Sequence, residues 1–169
     1  MSGTTEHSPE IGSFREAALS CPIPAVVELI GEKWAFLILR GAFNGLQHFE
    51  EFQGGLGIAR NILSDRLGKL VAGGILERAP DPQDRRKVVY SLNEKGEDLL
   101  PVVVALRQWG ERWGMGVPRV ILADNRDKRA VRRICLLSHD GRPLDLHDLT
   151  WVDSDGEIDP VRLAVEQVG

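Results

Sequence analysis

The sequence predicts a mainly α-helical fold with a small β component, on three observations. Apolar residues recur at three- and four-residue spacing over most of 25–113, the period of helices with one buried face. Two short runs, Ile75 to Arg78 and Val88 to Leu92, carry β-type residues around a Pro-Asp-rich joint. With 43% hydrophobic and 27% charged residues, the 169-residue chain suits a soluble main domain with a smaller addition.

The elements follow in order. Residues 1–20 mix Ser, Thr, Gly and acids before Phe14, Ala17, Ala18 and Leu19, which predicts a loose arm turning into a short helix. Cys21-Pro22-Ile23-Pro24 breaks the chain, since proline is tolerated mainly in a first helical turn. Ala25 to Ile30 is then a short helix, and Lys33 to Phe43 a second, ended by Asn44-Gly45. Gln47 to Gln53 spaces Phe49 and Phe52 for one turn of helix, which Gly54-Gly55-Leu56-Gly57 stops. Ile58 to Ala72 turns Ala59, Ile62, Leu63, Leu67 and Leu70 to one side and ends at Gly73-Gly74. The two β runs pair as a hairpin across Pro80 to Asp84. Asn93 caps a helix reaching about Trp113, its start kinked by Pro101.

Short helix, glycine turn, longer helix and basic hairpin make the order of a winged helix-turn-helix over residues 21–113. The helix from Ile58 leaves Asn61, Ser64, Asp65 and Gly68 on its polar side, with Arg60 and Lys69 beside them. Short polar side chains suit base edges in a major groove, and Arg85, Arg86 and Lys87 at a hairpin tip suit the phosphate backbone. The net charge of -4 says nothing of this, but residues 58–92 carry a local excess of three positive charges. On the last helix Leu99, Val103, Leu106, Gly110 and Trp113 repeat as a seam, and a second copy of that helix is its simplest cover. A homodimer is expected.

Several separated motifs, in order, carry a resemblance: Cys21-Pro22, Ile30-Gly31-Glu32-Lys33-Trp34, Phe49-Glu50-Glu51-Phe52, the Leu-Ser-x-Arg-Leu core within Ile58 to Leu70, Gly74-Ile75-Leu76, and Arg86-x-Val88-x-Tyr90-x-Leu92-x-x-Lys95-Gly96. Over about residues 20–113 the chain resembles the HxlR-type bacterial transcription regulators. The resemblance implies that Arg60, Asn61, Ser64 and Asp65 read DNA and that Arg85, Arg86 and Lys87 touch its backbone. It further implies that the helix from Asn93 dimerises and that Cys21 stands where some such proteins keep a thiol switch. Repression is the commoner mode in such families, and a small molecule or an oxidant is the expected effector class. Two positions depart from the pattern: Asp65 sets an acid on the reading face, and Gly68 stands where similar proteins often have a base.

Simpler roles compete at several residues. Trp34 reads as a core residue pinning two helices, and His48 as a surface or phosphate-contacting residue on an exposed short helix. As a thiol, Cys21 is either a small buried hydrophobe or, ahead of a helix start, a reactive group. A different class of function, a winged-helix module that binds protein or a small molecule, takes its support from Asp65 and the acidic tail; a gel shift separates it from DNA binding. The chain has no Ser-His-Asp order, paired-carboxylate motif or phosphate loop, so no enzyme activity is expected.

Residues 114–169 predict a small β-rich extension with strands at Val120 to Leu122 and Val131 to Leu137. Cys135-Leu-Leu-Ser138-His139-Asp140-Gly141 resembles a zinc-ribbon knuckle with Ser138 in place of the second cysteine. Cys135, His139 and His147 supply three ligands where zinc needs four, so a metal-free hairpin is expected. Asp153 to Glu157 reads as a turn, too short for a calcium loop. Two cysteines are too few for a disulfide framework, and no cofactor is expected. No apolar run approaches the roughly 20 residues that span a bilayer, and the start lacks a signal pattern, which places the chain in the cytoplasm.

Overall fold

The structure is a computed structural model that describes residues 21–149. The expected arm over 1–20, the tail after Trp151 and the turn at Asp153 to Glu157 lie outside the described residues. Two compact units are present, one over Ile23–Ile134 and another to which Cys21, Pro22 and residues 135–149 belong.

The larger unit runs α1 (Ile23–Ile30), α2 (Lys33–Phe43), α3 (Phe49–Leu56), α4 (Arg60–Ala72), β1 (Leu76–Pro80), β2 (Val88–Leu92), α5 (Glu94–Glu97) and α6 (Leu100–Arg112). Helix α2 is central, packing against α1, α3, α4, α6 and β2. Its Ala35, Ile38 and Leu39 join Ile30, Phe52, Ile58, Leu63, Leu67, Leu70, Ile75 and Leu76 in one apolar core, and no polar side chain is buried there among the described residues. Trp34 is half-buried against this core, as the sequence implies.

Three helices end by the same device. At Gly45, Gly74 and Gly114 the backbone enters the left-handed region (φ 88°, 65° and 68°), which glycine adopts without a Cβ clash. Each time the following residue donates its N–H five residues back: Leu46 to Gly41, Ile75 to Leu70 and Met115 to Gly110, at 3.0, 2.9 and 2.9 Å. The last carbonyls of each helix are thereby satisfied and the chain is turned sharply.

Several boundaries differ from the sequence reading. Helix α3 begins at Phe49 and passes through Gly54-Gly55 to Leu56, because Gly57 (φ 62°) and its N–H to Gln53 supply the stop. Helix α4 starts at Arg60: Ala59 is the extended residue before it and is exposed, while Ile58 is buried ahead of the helix. Ala59 therefore does not belong to the inward stripe. Strand β1 runs on to Pro80, which a strand end tolerates, and pairs with β2 from Leu76 opposite Leu92 to Pro80 opposite Val88. The helix expected from Asn93 to Trp113 is two helices. Asn93 caps only α5, its Oδ1 accepting the Gly96 N–H at 3.0 Å, and α6 begins at Leu100 with Pro101 in its first turn. Proline has no N–H for the Glu97 carbonyl and its ring crowds it, so the ladder is broken rather than kinked.

The strands expected at Val120 to Leu122 and Val131 to Leu137 are largely absent. A single bridge joins Ala123 to Ala130 around a turn. Gln108 of α6 holds this loop, donating to the Arg132 carbonyl at 3.1 Å and accepting the Ile134 N–H at 2.8 Å, so that 114–134 clusters with the helices rather than with the extension. In the smaller unit, β3 (Leu136–Leu137) and β4 (Pro143–Leu144) pair antiparallel and a 3₁₀ turn follows at Leu146–Asp148. Ser138, at the vacant knuckle position, closes that hairpin: its Oγ accepts the Arg142 N–H at 3.0 Å. No three His, Cys, Asp or Glu side chains converge as a metal would require among the described residues. No helix there is long and apolar enough to cross a membrane.

Candidate nucleic-acid interface

Helix α4 carries the face in question. Leu63, Leu67 and Leu70 are fully buried while Asn61, Ser64, Asp65, Gly68 and Lys69 are exposed, the division that the 3.6-residue period imposes on a helix seated on a core. Asn61 and Ser64 make no side-chain hydrogen bond among the described residues, which leaves their polar atoms available to a partner. Arg60, at the start of the helix, lies over the Phe49 ring of α3 at 4.8 Å, a cation–π contact that holds its guanidinium beside the turn between the two helices.

Asp65 is compensated. Its Oδ2 is 3.2 Å from Arg66 Nη1 and 3.4 Å from Lys69 Nζ, one helical turn on. The acid that conflicts with DNA when counted alone is thus part of a locally neutral or positive cluster. The Asp65-Lys69 spacing was a visible signal. Less visible is that Arg66, half-buried, also pairs with Glu32 between α1 and α2, tying α4 to the scaffold.

The wing places Arg85, Arg86 and Lys87 together at the hairpin tip, all exposed, but not as equals. Asp84 holds Arg86 by three contacts, from its backbone N–H (3.2 Å), Nε (3.0 Å) and Nη2 (3.2 Å), and these pull the Asp84 carboxyl below its usual pKa. Arg85 and Lys87 have no ion-pair partner among the described residues. Asp81 shapes the base of the loop: its Oδ1 accepts the Gln83 and Asp84 N–H groups at 2.7 and 3.4 Å.

His48 corrects the sequence reading. It is the half-buried residue before α3, bonded through Nε2 to Asp81 Oδ2 at 2.8 Å and paired through Nδ1 with Glu51 Oε1 at 3.2 Å. These contacts, Asp81 first, raise its pKa above the ordinary histidine value. Glu51 in turn accepts the Gln47 and His48 N–H groups at 2.8 and 3.0 Å, satisfying donors at the start of α3 and lowering its own pKa. His48 and Asp81 are 33 residues apart, so no local pattern announces the pair.

The seam of α6 divides. Leu99 and Val103 pack against the molecule's own core, whereas Leu106 and Trp113 are exposed, as are Leu100, Val102 and Trp109. Cys21 is half-buried and Cys135 exposed, both as free thiols.

A helix set on its core by a glycine turn, with a cationic hairpin behind it, is the arrangement of this face. Residues 29–117 match the model of the HxlR-like helix-turn-helix. The chain belongs to that family. Among its relatives, Rv3095 of Mycobacterium tuberculosis, named an uncharacterized HTH-type transcriptional regulator, is 44% identical over 87 residues, covering 52% of this chain and 55% of that protein. The chain therefore spans about half the length of that relative. Of solved structures, that of PA1607, a proposed transcription factor, is 36% identical with a TM-score of 0.76, covering 83% of this chain and 99% of that one. The redox regulator HypR in its reduced form is 33% identical with a TM-score of 0.50, covering 54% and 92%. The likeness to PA1607 thus reaches past the stretch that the family model matches.

Proposed function

We propose that the chain is a dimeric DNA-binding transcriptional regulator, acting as a repressor, that lays α4 in the major groove and its wing on the flanking backbone. One observation carries this: α4 buries Leu63, Leu67 and Leu70 while Asn61 and Ser64 stand exposed without a side-chain hydrogen bond, beside a wing whose exposed Arg85 and Lys87 have no ion pair, among the described residues. A major groove admits a helix with such a face, and free cations at a hairpin tip attract phosphate. The names of Rv3095, an HTH-type transcriptional regulator, and PA1607, a proposed transcription factor, support the regulatory part of this reading.

Two copies would read a pseudo-palindromic site with half-sites roughly 34 Å apart. The exposed apolar residues of α6, Leu106, Trp109 and Trp113, and of α1, Ile23, Val26 and Val27, support pairing, since patches of this kind mark interfaces. As a place for a small-molecule effector, the recess of about 300 Å³ bordered by Leu46, Gln47, Tyr90 and Glu97 at the root of the wing has room for a small one. Likeness to HypR supports an oxidant response at Cys21; Cys21→Ser should abolish any oxidant effect on DNA affinity, and an unchanged effect in that variant rejects the thiol switch.

Selection of bound duplexes from a random pool, followed by sequencing, tests the whole reading. A recovered motif with two-fold symmetry is the expected result. Recovery of no motif, with no shift of genomic fragments at moderate salt, overturns it in favour of a module that binds protein or small molecules.

A further inference from the structure

The wing is fastened to α3 by a side chain that the reading face does not use. His48 lies between two carboxylates, Asp81 at the base of the wing loop and Glu51 in the first turn of α3, at 2.8 and 3.2 Å. The backbone follows the same path, for Tyr90 donates its N–H to the Gln47 carbonyl at 2.8 Å and His48 bridges to Val89. Asp81 is also the residue on which the loop is built: besides its two Oδ1 contacts, its N–H donates to the Lys87 carbonyl at 3.0 Å. Whatever orients Asp81 therefore orients the tip that carries Arg85, Arg86 and Lys87.

We propose that His48 is the positioning residue of the wing, clasping Asp81 and thereby setting the direction in which Arg85 and Lys87 meet the DNA backbone. The proposal deepens the DNA-binding reading above and rests on it. A proton strengthens the clasp. A neutral imidazole with its N–H on Nε2 still bonds Asp81, but only the imidazolium adds a positive charge that attracts Asp81 and Glu51 together. Among the described residues these two are the charged groups that act on His48, from α3 and from the wing; the cation of neighbouring α4, Arg60, is turned onto the Phe49 ring. The direction of the pH effect follows, since a histidine pKa raised in the folded state gives stabilisation that is complete below the ordinary histidine value. It is lost as pH rises through the raised value.

Amide hydrogen exchange of the full chain, corrected for intrinsic rates, tests the clasp between about pH 6 and 8, where histidine titrates. Wild type is compared with His48→Gln and with Asp81→Asn, which keeps the Oδ1 acceptor of the turn; α4 amides report that each variant is folded. Protection of the Gln83, Asp84 and Lys87 amides should fall about threefold across this range in wild type, the scale of a partly exposed ion pair, and be low and flat in both variants. Affinity for a mixed-sequence duplex should follow the same profile. Equal and pH-independent protection in all three proteins overturns the clasp, whatever the DNA result. The expected exchange pattern without any duplex binding sustains the clasp and defeats the DNA-binding reading instead.

Discussion

Replacing Arg85 and Asp84 in turn separates a free cation of the wing from a tied one. Arg85 has no partner among the described residues, whereas Arg86 is held by Asp84 through three hydrogen bonds between 3.0 and 3.2 Å. Before Arg86 can neutralise a phosphate it must leave a carboxylate that already neutralises it. Each phosphate contact steepens the fall of log affinity with log salt by about 0.9 and is worth about eightfold in affinity at 0.1 M salt. Arg85→Ala should therefore flatten the slope by about 0.9 per protomer, or about 1.8 for a dimer with both wings engaged. Asp84→Asn keeps an oxygen for the Arg86 N–H but removes the competing charge, and should steepen the slope by a similar amount. Fluorescence anisotropy of a labelled duplex over a salt series measures both. Slopes for the two variants that stay within about 0.3 of wild type would refute the division into free and tied charges.

Three further outcomes follow from the geometry. Asn61→Ala and Ser64→Ala should change preference among sequences, by about 1–3 kcal/mol at an affected base pair, in competition binding; an equal loss on all sequences contradicts a base-reading role. At Gly96 an added Cβ would stand 2.2 Å from the Ile75 carbonyl oxygen and 2.9 Å from Leu92 Cδ2, so Gly96→Ala should cost about 2 kcal/mol in urea unfolding, an estimate that an unmoved midpoint would defeat. Leu106 and Trp113 are 49% and 61% exposed, and Leu106→Glu with Trp113→Glu should yield a monomer in sedimentation if α6 pairs the copies; a persistent dimer places the interface elsewhere.

Most of the architecture was legible in the chain because it rests on local rules. The burial of Leu63, Leu67 and Leu70 and the exposure of Asn61 and Ser64 are consequences of helical period alone. The ends at Asn44-Gly45 and Gly73-Gly74 were readable because a left-handed residue there strongly favours glycine. Where two local rules compete, the sequence was less decisive: Gly54-Gly55 reads as a stop, yet α3 goes on to Leu56, which packs against the core, and ends at the left-handed Gly57. The sequence by itself thus determined the order of elements, the exposed polar face of α4 and the cationic wing, since each depends on residues within about a turn or a strand of one another. Only the tertiary structure decided which charges are free. Glu32 reaching Arg66 and above all His48 meeting Asp81 depend on where the folded backbone brings side chains, and Coulombic pairing acts through space rather than along the chain.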